Sequence, residues 1–399
     1  MIQNPYDELP YKSLPIEWTA PERLALASLL HGGPRQVLNS NYRVLELGCG
    51  DGANLLPLAA YRAHATFVGI DGAQSQIQIA NTEKSKLQLG NVDFIHSDFL
   101  TADKKLTGEF DYIIAHGVFS WVSPESRDAL LSLCGRFLRR GGLLYLNYNS
   151  LPGWNVRGMV RDFLLAQTAS IDSLKERAET AQKISEKLSS PLALQEHPYS
   201  QLMANEFQFV SESHISYIAH EYLTENNYAY WRSEFLELAK HYELTYVADA
   251  DFNYSSGRIP EDLTAQLINE QIIGRTIDDT VDFLCYRQLH SPILTHDPFV
   301  FHAPTLDEFA DLFVSSCLEP RFENANNNLM FEHFSGYQVE AKNKIMATAL
   351  TQLRSLWPKG LRLTTIFPDV SQVMDDLKLL QRNGLIELRC VEPIELMPY

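Results

Sequence analysis

The first third of this sequence predicts an α/β fold, a largely parallel sheet with helices on both faces. Three observations carry that expectation. Short apolar runs recur at 44–47, 66–71, 92–96, 110–115 and 143–146. Helical patterns separate them, as in 73–89, where Ile77 and Ile79–Ala80 are the apolar positions. The first run stops in a glycine cluster, Gly48-Cys49-Gly50-Asp51-Gly52. Strands spaced by helices build a parallel sheet covered on both sides. Ligands of such sheets bind at the carboxyl ends of the strands, near the point where strand order reverses.

The elements follow in order. Ser123-Pro124-Glu125 starts a helix, with serine as N-cap and proline in the first turn. It runs through Leu130, Leu133 and Phe137, with Arg139-Arg140 expected in its last turn and Gly141-Gly142 ending it. Helical patterns then fill about 155–242, including a Lys/Glu-rich stretch over 171–189 that reads as a solvated helix. Strands resume at 244–248 and again within 287–295. The economical topology is a sheet completed by these two late strands, with a helical insertion between strands five and six. The expected domains are therefore 1–297, insertion included, and a smaller unit at 298–399. In the latter, Phe367-Pro368-Asp369 opens a helix, Asn383-Gly384 ends it and a strand begins at Leu385, as in a winged helix.

Length and composition bound the function. At roughly 150 residues per domain, 399 residues with 45% hydrophobic content make a soluble protein of two or three domains. The balance of 33 Lys+Arg against 50 Asp+Glu, a net charge of −17, repels phosphate backbones and argues against nucleic acid. Residues 298–399 carry 9 basic against 13 acidic side chains, so the winged-helix-like unit reads as a docking or dimerisation module, which leaves a homodimer open. Five scattered cysteines with no C-x-x-C pair fit a reducing compartment, and cytoplasmic localisation is expected. The N-terminus lacks an apolar leader core, and no apolar stretch is long enough to insert in a membrane. The histidines show no metal-ligand spacing, so no metal is expected. A G-x-S-x-G hydrolase elbow is absent too.

The glycine cluster carries the chemistry. Glu46-Leu47-Gly48-Cys49-Gly50-Asp51-Gly52 joins the first strand to its helix, and its glycines allow a sharp turn and close approach to a ligand. The spacing is G-x-G-x-G, which differs from the dinucleotide-binding G-x-G-x-x-G. With the preceding acid, it resembles motif I of class I S-adenosylmethionine-dependent methyltransferases. Asp71, followed by Gly72, ends the second strand 21 residues beyond Gly50, where this family places an acid on the ribose hydroxyls. Asp98-Phe99 follow the third strand, where the family binds and covers adenine. His116 falls where the family lines the sulfonium pocket. The resemblance implies S-adenosyl-L-methionine as cofactor and a Rossmann-like seven-stranded methyltransferase sheet. The Asp/Asn-Pro-Pro-Tyr/Phe signature of base and glutamine-amide methyltransferases is missing at Ala115 to Val122.

Further ordered motifs narrow the resemblance: Tyr6 to Ser13, Asn147 to Trp154 running into Arg157 to Asp162, His220 to Leu223, and Asp282 to Arg287. The set is similar to bacterial methyltransferases with a methyltransferase regulatory domain, among them lysine methyltransferases of outer-membrane proteins. That similarity implies an acceptor nitrogen on a protein lysine. Tyr11, in the N-terminal motif, is expected to close over the donor. Trp121, Tyr148, Trp154 and Tyr222 are the aromatic candidates for an acceptor wall, since aromatic faces hold alkylammonium groups. A small-molecule methyltransferase and a non-catalytic donor-binding adaptor remain open alternatives. Residues 1–297 carry −13 of the charge, which would attract a lysine-bearing protein.

Overall fold

Alternating buried strands and amphipathic helices do assemble as one mixed sheet. The structure is a computed structural model and describes residues 8–11, 13–38, 40–251, 263, 266, 276–324, 328–341 and 343–392. Tyr6, Asp7 and Lys12 of the N-terminal motif lie outside the described residues.

Helix α1 (Pro21–Leu30) comes first, and the chain then alternates. The elements are β1 (Arg43–Leu47), α2 (Leu55–Ala60), β2 (Thr66–Asp71), α3 (Gln74–Lys86), β3 (Val92–His96), β4 (Phe110–Ala115), α4 (Pro124–Phe137) and β5 (Leu138–Leu146). A short strand, β6 (Tyr148–Ser150), leads into the helical insertion: α5 (Trp154–Thr168), α6 (Leu174–Ala193), α7 (Pro198–Glu212), α8 (Ile215–Tyr222), β7 (Ala229–Tyr230) and α9 (Arg232–Lys240). Strand β8 (Leu244–Asp249), helix α10 (Ile277–Leu284), β9 (Leu289–His290) and β10 (Pro292–His296) complete this part.

The sheet order is β3-β2-β1-β4-β5-β10-β8. Strands β1 to β5 are parallel, and β10 runs antiparallel against β5. Order reverses between β1 and β4, so the crevice at their carboxyl ends is the expected ligand position. Central strands β1, β4 and β5 are covered on both faces and read as near-continuous apolar runs. Their core joins Leu45, Leu47, Ile113, Leu144 and Leu146 to Leu130 and Leu133 of α4. The insertion has its own core, in which Val160 and Leu164 meet Ala178, Phe207, Ile218 and Tyr222. Helix α6 buries Leu174, Ala178, Ala181 and Ser185 there, so only its other face is solvated.

Two compact units interleave along the chain: 1–16, 40–246 and 259–297 in one, 17–39, 247–258 and 298–399 in the other. In the second unit, Leu26 and Leu29 of α1 share a core with Phe309, Val314, Leu350 and Leu377. It contains α11 (Leu306–Ala310), β11 (Phe313–Ser315), β12 (Glu319–Glu323), β13 (Leu329–Glu332) and β14 (Gln338–Glu340). Helix α12 (Lys344–Leu356), β15 (Leu361–Arg362), α13 (Leu363–Ile366), α14 (Met374–Arg382) and β16 (Glu387–Arg389) follow. Strands β15-β11-β16 form one small sheet and β12-β13-β14 another. Helices α1, α12 and α13 contact the strands of the β15-β11-β16 sheet.

Four details depart from the sequence expectations. Helix α4 stops at Phe137, and Arg139-Arg140 belong to β5, where Arg139 pairs with Asp111 at 2.8 Å. Pairing with β4 begins already at Leu138, and the register shift between Phe110 and Tyr112 is taken up beside Gly141 at φ +79°. The segment after Asn147 is a strand, because Tyr148 and Asn149 pair with His290 and Leu289. Hence 287–295 is two strands in two sheets rather than one. In the tail, Asp369 caps only a single turn, 370–372, and the helix proper starts at Met374.

Leu144 is fully buried at the centre of this sheet. Leu144→Ala is expected to cost about 3 kcal/mol, read as a lowered urea midpoint at unchanged slope.

Candidate functional site

The glycine turn after β1 is set by backbone geometry that only glycine adopts cheaply. Gly48, Gly50 and Gly52 have φ of +80°, +52° and +79°. A Cβ on Gly52 would lie 2.7 Å from the Phe94 ring, and one on Gly50 2.8 Å from Ser13 Oγ. The turn is tied to β2, since Gly48 N and Cys49 N both donate to Ile70 O.

Asp71 organises the turn from the end of β2. Gly50 N donates to its Oδ2 at 2.9 Å and Ala73 N to its Oδ1 at 2.8 Å. Ser97 N donates to the Asp71 carbonyl, which brings the end of β3 alongside. Gly72 is exposed and its carbonyl faces His96 Nε2 at 3.2 Å. Beyond β3, Asp98 accepts from Thr101 N at 2.8 Å and Thr101 Oγ1 at 2.5 Å, while Phe99 packs on the edge of the sheet core. The expected donor-site acids and glycines therefore converge at the carboxyl ends of β1, β2 and β3.

Glu46 lies buried beneath them. Asn54 Nδ2 donates to its Oε1 at 2.8 Å, whereas its buried Oε2 has no hydrogen-bond partner among the described residues. Burial pushes this carboxyl up to about 8 against the pull of Asn54, with nearby Asp71 and Asp51 adding to the rise. Burial and the same acids also raise the Cys49 thiol, which is therefore no nucleophile. Three carboxyl groups around one turn make a site for a cation that also carries hydroxyls.

The wall at β4 and β5 is polar and neutral. His116 stacks on Tyr145, and its Nδ1 lies 2.9 Å from Tyr145 Oη and 3.2 Å from the donating Asn147 Nδ2. Burial lowers its pKa to about 4, so the imidazole is uncharged at neutral pH and does not repel a sulfonium. Asn147 Oδ1 accepts from Gly117 N at 2.6 Å and so closes the exit of β4 onto that of β5. Sequence reasoning missed Asn54 and Tyr145 as site residues and took Asn147 only as part of a loop. Asn54 carried a signal, an amide directly before the helix that follows the glycines.

The N-terminal segment crosses from the insertion to the glycine turn. Leu174 N donates to Glu8, Leu9 O lies 2.6 Å from His220 Nε2, and the Tyr11 ring is 5.8 Å from His220. Ser13 then abuts Gly50, and Ile16 N donates to Asn54 Oδ1 at 2.9 Å. Tyr11 is thus joined to the insertion, and its segment continues to the donor turn.

The four aromatic candidates do not form one wall. Trp121 and Trp154 meet edge-to-face at 5.8 Å, and Trp154 Nε1 donates to Asn227 Oδ1 at 2.8 Å. Tyr148 is instead buried in the sheet core, stacked at 4.1 Å on Phe235. Tyr222 is fully buried in the insertion core, and burial raises its hydroxyl pKa. Both are packing residues because strand pairing and the insertion core claim them. Beside Trp154 lies a charged cluster: Arg157 is 5.3 Å from the Trp154 ring and 3.6 Å from Glu206.

Comparison with known proteins decides the family. A "Methyltransferase domain" model matches residues 38–209, and a "Predicted methyltransferase regulatory domain" model matches 203–296. An uncharacterized Rickettsia prowazekii protein, RP028, is 31% identical over 235 residues, 59% of this chain and 93% of its own length. The chain belongs to the methyltransferases with a methyltransferase regulatory domain. Another protein of that organism, RP789, is 34% identical over 296 residues, 74% of this chain and 53% of the relative. A Synechocystis protein, sll1526, is 26% identical over 69% of this chain. The chain spans about half the length of these last two relatives. In fold it matches PKMT2 from Rickettsia typhi, solved with AdoHcy, at a TM-score of 0.82 and 24% identity, over 96% of this chain and 78% of that one.

S-adenosylmethionine is the donor of this methyltransferase family, and the site suits it. Its cationic groups suit a turn lined by Asp51 and Asp71, with the buried Glu46 carboxyl beneath them. The buried Glu46 Oε2 has no hydrogen-bond partner among the described residues and is open to a polar group of a ligand. No helix among the described residues is long and apolar enough to cross a membrane.

Two outcomes are expected. Gly50→Ala, strained at φ +52° and crowded by Ser13, should weaken donor affinity by about tenfold or more, read by calorimetry. Burial in the folded chain pushes the Glu46 carboxyl from its ordinary 4.5 up to about 8. The native state therefore holds a proton that the unfolded chain has lost between these values. Its contribution to stability falls as pH rises from 4.5 to 8 and is lowest above 8. Glu46→Gln should flatten the stability profile of the donor-free protein across that window, measured by denaturant titration.

Proposed function

We propose that this chain transfers a methyl group from S-adenosylmethionine to a lysine amine of a protein. The observation that carries the reading is the Trp121–Trp154 corner. Trp121 follows the exit of β4 and Trp154 opens α5 just beyond β5 and β6, on the side of the sheet where the donor turn lies. Both rings are held by local structure, Trp121 in the turn 119–121 and Trp154 by Asn227. Trp121 is the partly exposed ring of the pair, while Trp154 is buried behind it with Arg157 at 5.3 Å. An aromatic face in the Trp121 position attracts an alkylammonium. The similarity to lysine methyltransferases of outer-membrane proteins and the acidic first 297 residues favour the same acceptor.

The donor supplies a methyl group already activated on sulfur. The protein's part is to position and to exclude water. Glu46, Asp71 and the glycine turn would hold the donor, Asp98 and Phe99 would meet its adenine, and neutral His116 would face its sulfonium. The N-terminal segment with Tyr11 covers the turn. The acceptor amine must lose its proton before it attacks. In the neighbouring insertion, burial lifts Glu221 to about 7 against the pull of Arg157 and Arg161. The C-terminal unit serves docking, and the reducing cytoplasm suits five unpaired cysteines.

The test is mass spectrometry of cell proteins after incubation with the enzyme and isotopically labelled donor. Lysine methylation is expected, and label confined to low-mass products would overturn the acceptor class. Trp154→Ala should lower transfer to protein by about tenfold or more while donor affinity in calorimetry stays unchanged.

A further inference from the structure

Helix α10 and the turn after it are built inside out. The acids Asp279 and Asp282 are each 1% exposed, and Arg287 and His290 are each 2% exposed. Four apolar side chains point the other way, although Cys285 is buried: Phe283 is 64% exposed, Leu284 and Tyr286 42% each, and Leu289 37%. An amphipathic helix of a soluble protein does the reverse.

The inversion is held firmly. Asp282 Oδ1 lies 2.7 Å from Arg287 Nε, and His290 Nε2 donates to Asp282 Oδ2 at 2.7 Å. Asp279 accepts from Ser233 N at 3.0 Å and Ser233 Oγ at 2.6 Å. Tyr286 sits at φ +52°, a conformation non-glycine residues rarely adopt. A buried ionic cluster is often no more stable than apolar packing of similar volume. Stability alone therefore does not call for acids inside and aromatics outside. A row of exposed apolar side chains marks a surface that meets a partner.

The row is continuous with the acceptor corner. Ser150 N donates to Gln288 O at 2.8 Å, and a Cβ at Gly153 would collide with the Arg287 carbonyl, so the turn lies directly behind Trp154. Tyr286 Oη is 3.5 Å from Glu206, whose carboxylate pairs with Arg157 beside Trp154. We propose that Phe283, Leu284, Tyr286 and Leu289 form the docking surface for the acceptor polypeptide and grip apolar side chains flanking the target lysine. The occupant's identity rests on the lysine reading above. Charge agrees, since residues 1–297 carry a net −13, which draws a lysine-bearing chain.

The experiment measures fluorescence anisotropy of two labelled peptides on the full chain saturated with AdoHcy. One peptide has a central lysine between leucine and phenylalanine residues; the other has serines in their place. The apolar-flanked peptide should bind about tenfold or more tightly. A Phe283→Ser, Tyr286→Ser double variant should lose that preference while keeping donor affinity. Equal affinity for the two peptides, no binding of either, or an unchanged preference in the variant would overturn the proposal. So would self-association in sedimentation that the variant abolishes without any peptide preference, which assigns the row to a second copy. Methyl transfer to the bound peptide, followed by mass spectrometry, tests the acceptor separately. A peptide bound through the row but never methylated refutes the lysine reading and supports the docking surface.

Discussion

The hydrogen bond from Gly50 N to the Asp71 carboxylate is the constraint on which the site depends. It ties the turn after β1 to the end of the neighbouring strand β2. It forms because Gly50 takes a left-handed φ that aims its N–H sideways at Asp71. The neighbouring glycines serve the same bond: Gly48 lets the turn pass Val118, and Gly52 lets it settle on Phe94. Everything that would hold a donor is arranged around this bridge, from Glu46 and Asn54 beneath it to Ser13 above it.

Charge is used in two ways around the sheet. At the glycine turn, Asp51 and Asp71 crowd a buried Glu46 carboxyl whose Oε2 has no partner among the described residues, so a polar, cationic ligand is the natural complement. On α10 the buried acids are matched at once by Arg287, His290 and Ser233. The first arrangement is unfinished without a ligand. The second is complete in itself and serves to fix a turn. That contrast separates groups that bind from groups that position.

Much of this was legible in the sequence. The five strands, the glycine turn, Asp71, Asp98 and His116 fell where the apolar runs and motif spacing put them, because short-range periodicity and turn chemistry dictate them. The junction at Phe137–Leu138 was misread, since Arg139-Arg140 and two glycines look like a helix end until pairing with β4 is known. The strand at Tyr148 was invisible, because its partners lie at Ala229, Leu289 and His290, far along the chain.

Sequence by itself determined the donor side of this protein: a motif of seven residues and an acid at the next strand end specify both the turn and what it offers a ligand. Tertiary structure alone sorted the aromatic candidates. Four aromatics stood as equals in the sequence, yet Tyr148 is stacked on Phe235 and Tyr222 is sealed in the insertion core, while Trp121 and Trp154 form a corner. Likewise, nothing in the order Asp-Phe-Leu-Cys-Tyr-Arg says that the acid turns inward and the aromatics outward. The reason is physical. A turn is set by the backbone preferences of adjacent residues, whereas a side chain's exposure is set by whichever distant residues come to cover it.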